Sequence, residues 1–199
     1  VMELGCAEGH FTAMLSPRVD HLVAADISEI ALRRASERCI GFHNIQYMQL
    51  DITKDPLPGR FDLIVCSEML YYVGNRGALK TVIQKIANAL KPGGYFLTAH
   101  AHLVVDEPDR PGFDWGLPFG AKAISDSIEK NWSFSLRKEI RTPLYRAQLF
   151  QRGPYLSIAK FLNRPQITRL EKQPTSLLPE VASHARWHGT AARSEFEAQ

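Results

Sequence analysis

The feature that most constrains this chain is an alternation. Short apolar runs recur through its first hundred residues, at 1–4, 21–25, 45–49, 61–67 and 95–101, and stretches with helical spacing separate them. Parallel strands need long crossovers, which helices supply, so this order predicts a parallel sheet. Right-handed crossovers then place helices on both of its faces. The run FDLIVCS at 61–67 is almost continuously apolar, as expected of a strand buried on both sides. Helices are expected at 10–15, 28–39 and 76–90. Ser28 is the expected cap of the second, and Leu79, Val82, Ile83, Ile86, Ala89 and Leu90 keep the helical period of the third. Lys91-Pro92-Gly93-Gly94 is read as the stop of that helix.

The pattern changes after residue 101. A Pro/Gly/acidic loop spans 106–120, a helix is expected at 121–130, and two strands are expected at 136–142 and 144–152 around Pro143. The expected architecture is α/β: a Rossmann-like, doubly wound sheet of seven strands, mostly parallel, with a C-terminal antiparallel strand pair. Residues 1–152 form the expected domain. Residues 153–199, broken by Pro154, Pro165, Pro174 and Pro179, are read as an extension or linker, partly disordered, with local helix at best. The chain opens on Val1-Met2-Glu3-Leu4, already inside a strand pattern, and is therefore expected to be a section of a longer polypeptide.

Composition narrows the function classes. With 199 residues, 45% hydrophobic and 23% charged, the chain has the proportions of an ordinary soluble domain. The net charge is +3 and the Lys and Arg form no block, so neither a nucleic-acid nor a membrane partner is indicated. No apolar run approaches the ~20 residues of a membrane span. Cys6, Cys39 and Cys66 are odd in number and lack C-x-x-C spacing, which suits a reduced, cytoplasmic compartment.

The first strand leads into Glu3-x-Gly5-x-x-x-Gly9. Ligands of doubly wound sheets bind at the carboxyl ends of strands, where the strand order reverses. Glycine there lets the backbone approach a ligand closely. A dinucleotide site prefers G-x-G-x-x-G, but this turn reads Gly5-Cys6-Ala7-Glu8-Gly9, and Glu8 beside a pyrophosphate would repel it. The turn suits a cationic or zwitterionic ligand; its competing reading is purely structural. Asp26 ends the second strand, where a carboxylate can accept from both hydroxyls of a ribose. That device fixes a ribose without naming the cofactor, and the alternative is a helix-start acid with no ligand. Asp51-Ile52 ends the third strand. The acid can accept from an adenine amino group while the isoleucine packs on the ring, or it is a turn residue.

The segments ELGCAEGHFT, AADIS, QLDIT, FDLIVCSEMLYY and LKPGGYFL resemble, in order and spacing, the motifs of class I S-adenosylmethionine-dependent methyltransferases over roughly residues 1–105. SEMLYY and the short core are similar to the nodulation protein S type, which N-methylates the amino sugar of chitooligosaccharides. DEPDRPGFDWGLPFG and RTPLYRAQLFQR resemble methyltransferase modules fused or adjacent to sugar deacetylase and glycosyltransferase domains. The resemblance implies that Glu3, Gly5 and Gly9, with Cys6 and Ala7 in the same turn, hold the methionine moiety. It implies ribose binding by Asp26, adenine packing by Ile27, the adenine edge for Asp51 and Ile52, and Ser67 and Glu68 beside the sulfonium and the acceptor. The family generally carries a helix before the first motif, which this sequence lacks.

Displacement at a sulfonium needs alignment more than acid–base power. An amine acceptor must be unprotonated and a hydroxyl usually needs a base. Glu68 is the candidate to bind the acceptor or take its proton, against a capping or surface acid. Tyr71, a candidate catalytic residue, and Tyr72 can wall the acceptor, with core packing the rival for at least one. His100 and His102 close the fifth strand; His100 is the candidate base and His102 a candidate acceptor contact. They lack a third ligand, so no metal is expected; His184 and His188 have i, i+4 spacing but no other ligands nearby. Asp106, Glu107, Asp109, Phe113, Asp114 and Trp115 form an acidic, aromatic loop that is the candidate acceptor lid, Trp115 being its candidate acceptor contact, against a solvated loop with Trp115 packed inward. Cys6 and Cys66 also suit small buried thiols. The expected function is methyl transfer from S-adenosylmethionine to a small or sugar-like acceptor. The alternative is a non-catalytic cofactor-binding module of a larger sugar-modifying protein; a nicotinamide-dependent reductase is opposed by the glycine spacing.

Overall fold

A computed structural model of the chain describes residues 1–153 and 166–169. The elements run β1 (Met2–Leu4), α1 (His10–Leu15), β2 (Leu22–Asp26), α2 (Glu29–Arg38), β3 (Ile45–Gln49), β4 (Phe61–Ser67), α3 (Arg76–Ala89), β5 (Leu90–Ala101), α4 (Ala121–Lys130), β6 (Phe134–Arg141), β7 (Tyr145–Arg152) and β8 (Gln166–Arg169). The strands form one sheet in the order β3-β2-β1-β4-β5-β7-β6-β8. The first five are parallel neighbours, and β7 runs antiparallel to both β5 and β6.

The sheet is thus the doubly wound α/β arrangement with the antiparallel pair, but its described part has eight strands, not seven. Gln166–Arg169 adds in parallel to β6. Its pairing is long-range and its side chains at 166–168 are exposed, so no core-facing apolar stripe announces it in sequence. The rest of the proposed extension, including His184 and His188, lies outside the described residues.

Local chemistry explains the element ends. Ser28 caps α2, its Oγ accepting from the Ala31 N–H at 3.2 Å. Asn75 caps α3, its Oδ1 accepting from the Gly77 and Ala78 N–H groups. The expected stop at 91–94 takes another form. Leu90 already pairs with Phe61, and Tyr95 pairs with Leu63, so Lys91–Gly94 bulges out of one long strand. A side chain at Gly94 would meet the carbonyl oxygens of Lys91, Asp62 and Phe61 at 2.9–3.1 Å.

The main core lies on the face of β1 and β4 that α3 covers. Met2, Leu4, Ile64 and Cys66 are buried with Leu79, Val82, Ile83 and Ile86 of α3. Beneath α4 the core is polar. Glu139 is fully buried and pairs with Arg141 Nε at 2.8 Å and Arg146 Nε at 3.4 Å. Gln148 Nε2 donates to Glu139 Oε1 and to Ser125 Oγ, both at 2.9 Å. The three cysteines are buried free thiols. Among the described residues no helix is long and apolar enough to cross a membrane.

Candidate active site

Sheet register brings the candidate residues together. Leu4 lies level with Ala25 on one side and Cys66 on the other, so Gly5, Asp26 and Ser67 emerge side by side. The order reverses at β1, the position where such sheets bind ligands. Around this edge runs a cavity of about 180 Å³, lined by Glu3, the Gly5–Ala7 turn, His10, Phe11, Val65 and Ser67.

The turn is held by backbone. The N–H groups of Gly5 and Cys6 both donate to the Ala25 carbonyl, at 2.9 and 3.0 Å. Gly5 has φ +74°, and a Cβ there would sit 2.9 Å from the Met69 side chain. Gly9 has φ +79°, and its Cβ would lie 2.8 Å from the Ala35 backbone on α2. Both glycines therefore also serve close packing. Ala7 carries a positive φ of 46°, an uncommon backbone state for a residue with a side chain. Its N–H donates to Asp26 Oδ2 at 2.9 Å, while Asp26 Oδ1 accepts from the Ser28 N–H at 2.9 Å. Each carboxylate oxygen keeps a second lone pair for a ligand hydroxyl. Glu8 turns away: it pairs with Arg34 at 2.5 Å, so the repulsion expected of it falls on the surface and not on a ligand.

Glu3 is buried, and Thr12 donates to its Oε2 at 2.7 Å. Burial pushes its carboxyl up to about 7, partly opposed by that hydrogen bond. Cys6 is buried beside it, and burial with the nearby Asp26 pushes its thiol up, away from a reactive thiolate. Ile27 is 62% exposed next to Asp26, whereas Ile52 is committed to the main core. Asp51 is bound to its own turn: Oδ1 accepts from the Thr53 N–H and Oγ1, and Oδ2 pairs with Lys54.

The residues expected to face an acceptor follow β4. Glu68 has a positive φ of 55° and its N–H donates to the Ala99 carbonyl at 2.9 Å. Its Oε1 is buried without a hydrogen-bond partner. Burial raises this carboxyl to about 7, with the Tyr71 hydroxyl pulling it down. The two tyrosines divide: Tyr71 is 1% exposed and Tyr72 60%. Tyr71 Oη accepts from the Ala101 N–H at 2.9 Å, and its ring meets Trp115 edge-on at 5.8 Å. Trp115, 37% exposed, stacks on Phe113 at 4.8 Å, and Phe113 meets Tyr145 at 6.0 Å. The Glu68 charge helps raise the Tyr145 hydroxyl to about 12, after burial. Phe113 belongs to the acidic aromatic loop expected as an acceptor lid, whereas Tyr145, like His10 and Phe11 at the cavity, has no individual role assignable from sequence and is brought to the site by tertiary pairing.

Both histidines lie inside the fold. His100 is buried, with Nε2 accepting from the Leu70 N–H at 3.2 Å and Nδ1 2.6 Å from Thr98 Oγ1. Burial pushes its pKa down to about 3. With Nε2 accepting from Leu70 and Nδ1 paired with Thr98, neither ring nitrogen is open to a substrate proton. His102 lies just past β5, buried, with Nδ1 3.0 Å from Glu107 Oε2, and makes no exposed acceptor surface. Among the described residues no group of three or more His, Cys, Asp or Glu is placed to hold a metal.

Comparison with known proteins follows this geometry. Residues 1–146 match the family model described as nodulation protein S (NodS). The nodulation protein S of Azorhizobium caulinodans is 29% identical over 124 residues, covering 62% of this chain and 56% of that protein. That of Sinorhizobium fredii is 30% identical over 123 residues, covering 62% of this chain and 54% of that protein. The chain spans about half the length of these curated relatives. Among solved structures, the N-methyltransferase NodS from Bradyrhizobium japonicum WM9, in complex with S-adenosyl-L-homocysteine, shares the fold with a TM-score of 0.68 at 24% identity, over 77% of each chain. With 146 of its 199 residues matched from the first strand through the start of β7, the chain belongs to the nodulation protein S family.

Proposed function

We propose that this chain binds S-adenosylmethionine at the Glu3–Gly9 turn and Asp26, and directs its methyl group to an amine presented at Glu68. The bound cofactor supplies a methyl group on a positively charged sulfur. The residues present fit it. The cavity wall carries the Glu3 carboxyl group, which a bound cation would hold ionised, and no Lys or Arg to pair with a pyrophosphate, which favours a cationic, zwitterionic ligand. The free lone pairs of Asp26 suit the ribose, and exposed Ile27 offers an apolar surface for adenine. Gly5, Cys6, Ala7, Gly9, Asp51 and Ser67 complete that assignment by position.

The observation that carries the acceptor reading is the pairing of Glu68 with rings. A buried carboxylate oxygen without a partner stands one residue beyond Ser67, which lines the cavity. Tyr71, Tyr72 and Tyr145 lie within reach of the Glu68 charge, and Trp115 meets Tyr71 edge-on. Aromatic faces and a carboxylate together favour a cationic amine. Near pH 7 the raised Glu68 carboxyl can take the proton that an ammonium must lose before it attacks. The name N-methyltransferase carried by the Bradyrhizobium relative supports nitrogen as the acceptor. The acceptor class is an amino sugar or its oligosaccharide, in a reduced cytoplasmic setting to which three free thiols are suited.

Calorimetry tests the cofactor assignment. S-adenosylhomocysteine should bind, and NAD should not. Preferential NAD binding would overturn the proposal. Tight S-adenosylhomocysteine binding without transfer to any amino sugar would instead favour a cofactor-binding module.

A further inference from the structure

The segment that carries Glu68 and Tyr71 is tied to β5 at successive positions. The Glu68 N–H donates to the Ala99 carbonyl, the Leu70 N–H to His100 Nε2, and the Ala101 N–H to Tyr71 Oη. His100 supplies the one side-chain acceptor that β5 contributes to this set. Its ring also meets Tyr71 edge-on, centroids 5.0 Å apart at 87°. Because Nε2 accepts, it bears no hydrogen, and the ring proton sits on Nδ1. Nδ1 then donates to Thr98 Oγ1 at 2.6 Å. Thr98 and His100 alternate on one face of β5, so the strand presents a pre-oriented ring to the turn.

The turn needs such a hold. Glu68 adopts φ 55°, a left-handed state that costs a residue with a side chain and persists only where neighbours over-determine it. It places the carboxylate beside Tyr71, with Oε1 left open.

We propose that His100 is a positioning residue: a neutral Nδ1–H imidazole that clamps the Leu70 amide and thereby fixes Glu68 and Tyr71 for the acceptor. It neither touches substrate nor exchanges a proton during turnover. The titratable groups around it are Tyr71 on the turn and Arg146, its register partner on β7. A protonated ring would turn an N–H against the Leu70 N–H and break the clamp. The effect on turnover rests on the methyl-transfer reading above; the clamp itself does not.

Side-chain 15N NMR of the wild-type chain tests the clamp directly. The His100 ring should show the neutral Nδ1–H tautomer throughout about pH 5 to 8. An Nε2–H tautomer, or titration within that range, would overturn the proposal. Two variants separate positioning from proton transfer. His100→Gln keeps an acceptor near the Nε2 position; His100→Leu does not. Hydrogen-exchange protection of the Leu70 amide should survive in the first and be lost in the second. With a deacetylated chitooligosaccharide as acceptor, His100→Leu should lower kcat by about a hundredfold while KM changes little, as misalignment predicts. His100→Gln should restore kcat to within about fivefold and keep the wild-type acidic limb of the pH profile. A Gln variant as inactive as the Leu variant, or lacking that limb, would make His100 the base and refute the clamp. If neither variant folds, the wild-type NMR decides alone. If the wild type transfers no methyl group, NMR and exchange still decide, and the failure belongs to the functional reading.

Discussion

Replacing Asp26 by Ala separates the ligand role of this carboxylate from its structural one. In the protein alone, Asp26 accepts from the Ala7 and Ser28 N–H groups, each at 2.9 Å and each at an exposed position. Water can replace it at both, so the cost to stability should be about 1 kcal/mol. The cofactor reading adds two ribose hydroxyls donating to the same carboxylate. Hydrogen bonds to a charged group contribute roughly 1.5–3 kcal/mol each. Losing two should cost at least ~3 kcal/mol of binding, a Kd raised by about 150-fold. The turn is further loosened, because Ala7 holds its positive φ partly through that contact. Calorimetry with S-adenosylhomocysteine reads the affinity, and thermal unfolding without ligand reads the fold. A Kd within about threefold of wild type, in a variant that unfolds normally, would refute the ribose assignment.

Three further outcomes are expected. Glu68→Gln should lower kcat by at least about a hundredfold, leave S-adenosylhomocysteine affinity nearly unchanged, and remove the acidic limb near pH 7 that wild-type pH–rate profiles should show; a retained limb would contradict its role as base. Glu3 holds its proton to about pH 7 when folded but ionises near its ordinary value of 4.5 when unfolded. Its contribution is therefore full below about pH 4.5 and is lost as pH rises towards 7, by up to about 1.4 kcal/mol per unit. Chemical denaturation of the ligand-free protein should show that decline, with Glu68 adding one of the same sign, and Glu3→Gln should remove roughly half of it; an unchanged slope would refute the assignment. Glu139→Leu should destabilise the fold by about 3–5 kcal/mol, because it strands Arg146 beneath α4; a urea-measured loss under about 1 kcal/mol would show that this pair is not the anchor of the polar core.

Much of the frame is visible in the primary structure because burial leaves a period. The third helix keeps Leu79, Val82, Ile83 and Ile86 on one face, and β4 buries Ile64, Val65 and Cys66 in a row. The turn at Gly5–Gly9 and the acid at Asp26 are visible because strand ends in such sheets share one edge. Pairing between distant segments leaves no such period. Lys91–Gly94 has the composition of a helix stop, yet Leu90 and Tyr95 both pair with β4. β8 is short and exposed at residues 166–168, and only its partner β6 defines it. Periodicity also cannot rank neighbours. Tyr71 and Tyr72 are adjacent, and the turn after Met69 alone decides which ring goes in. His100 has the residue type of a base, but its two hydrogen bonds spend both nitrogens on the fold. The backbone state of Glu68 is likewise set by contacts thirty residues away, through Ala99 and His100.

The central claim is methyl transfer to an amine held at Glu68. Mass spectrometry of deacetylated chitooligosaccharides and simpler amino sugars, incubated with the chain and methyl-deuterated S-adenosylmethionine, tests it most directly. The account predicts a deuterated methyl group on the sugar nitrogen, formed by the wild type and nearly absent with Glu68→Gln. Methylation confined to a sugar hydroxyl, or no labelled product from a chain that binds S-adenosylhomocysteine, would contradict it.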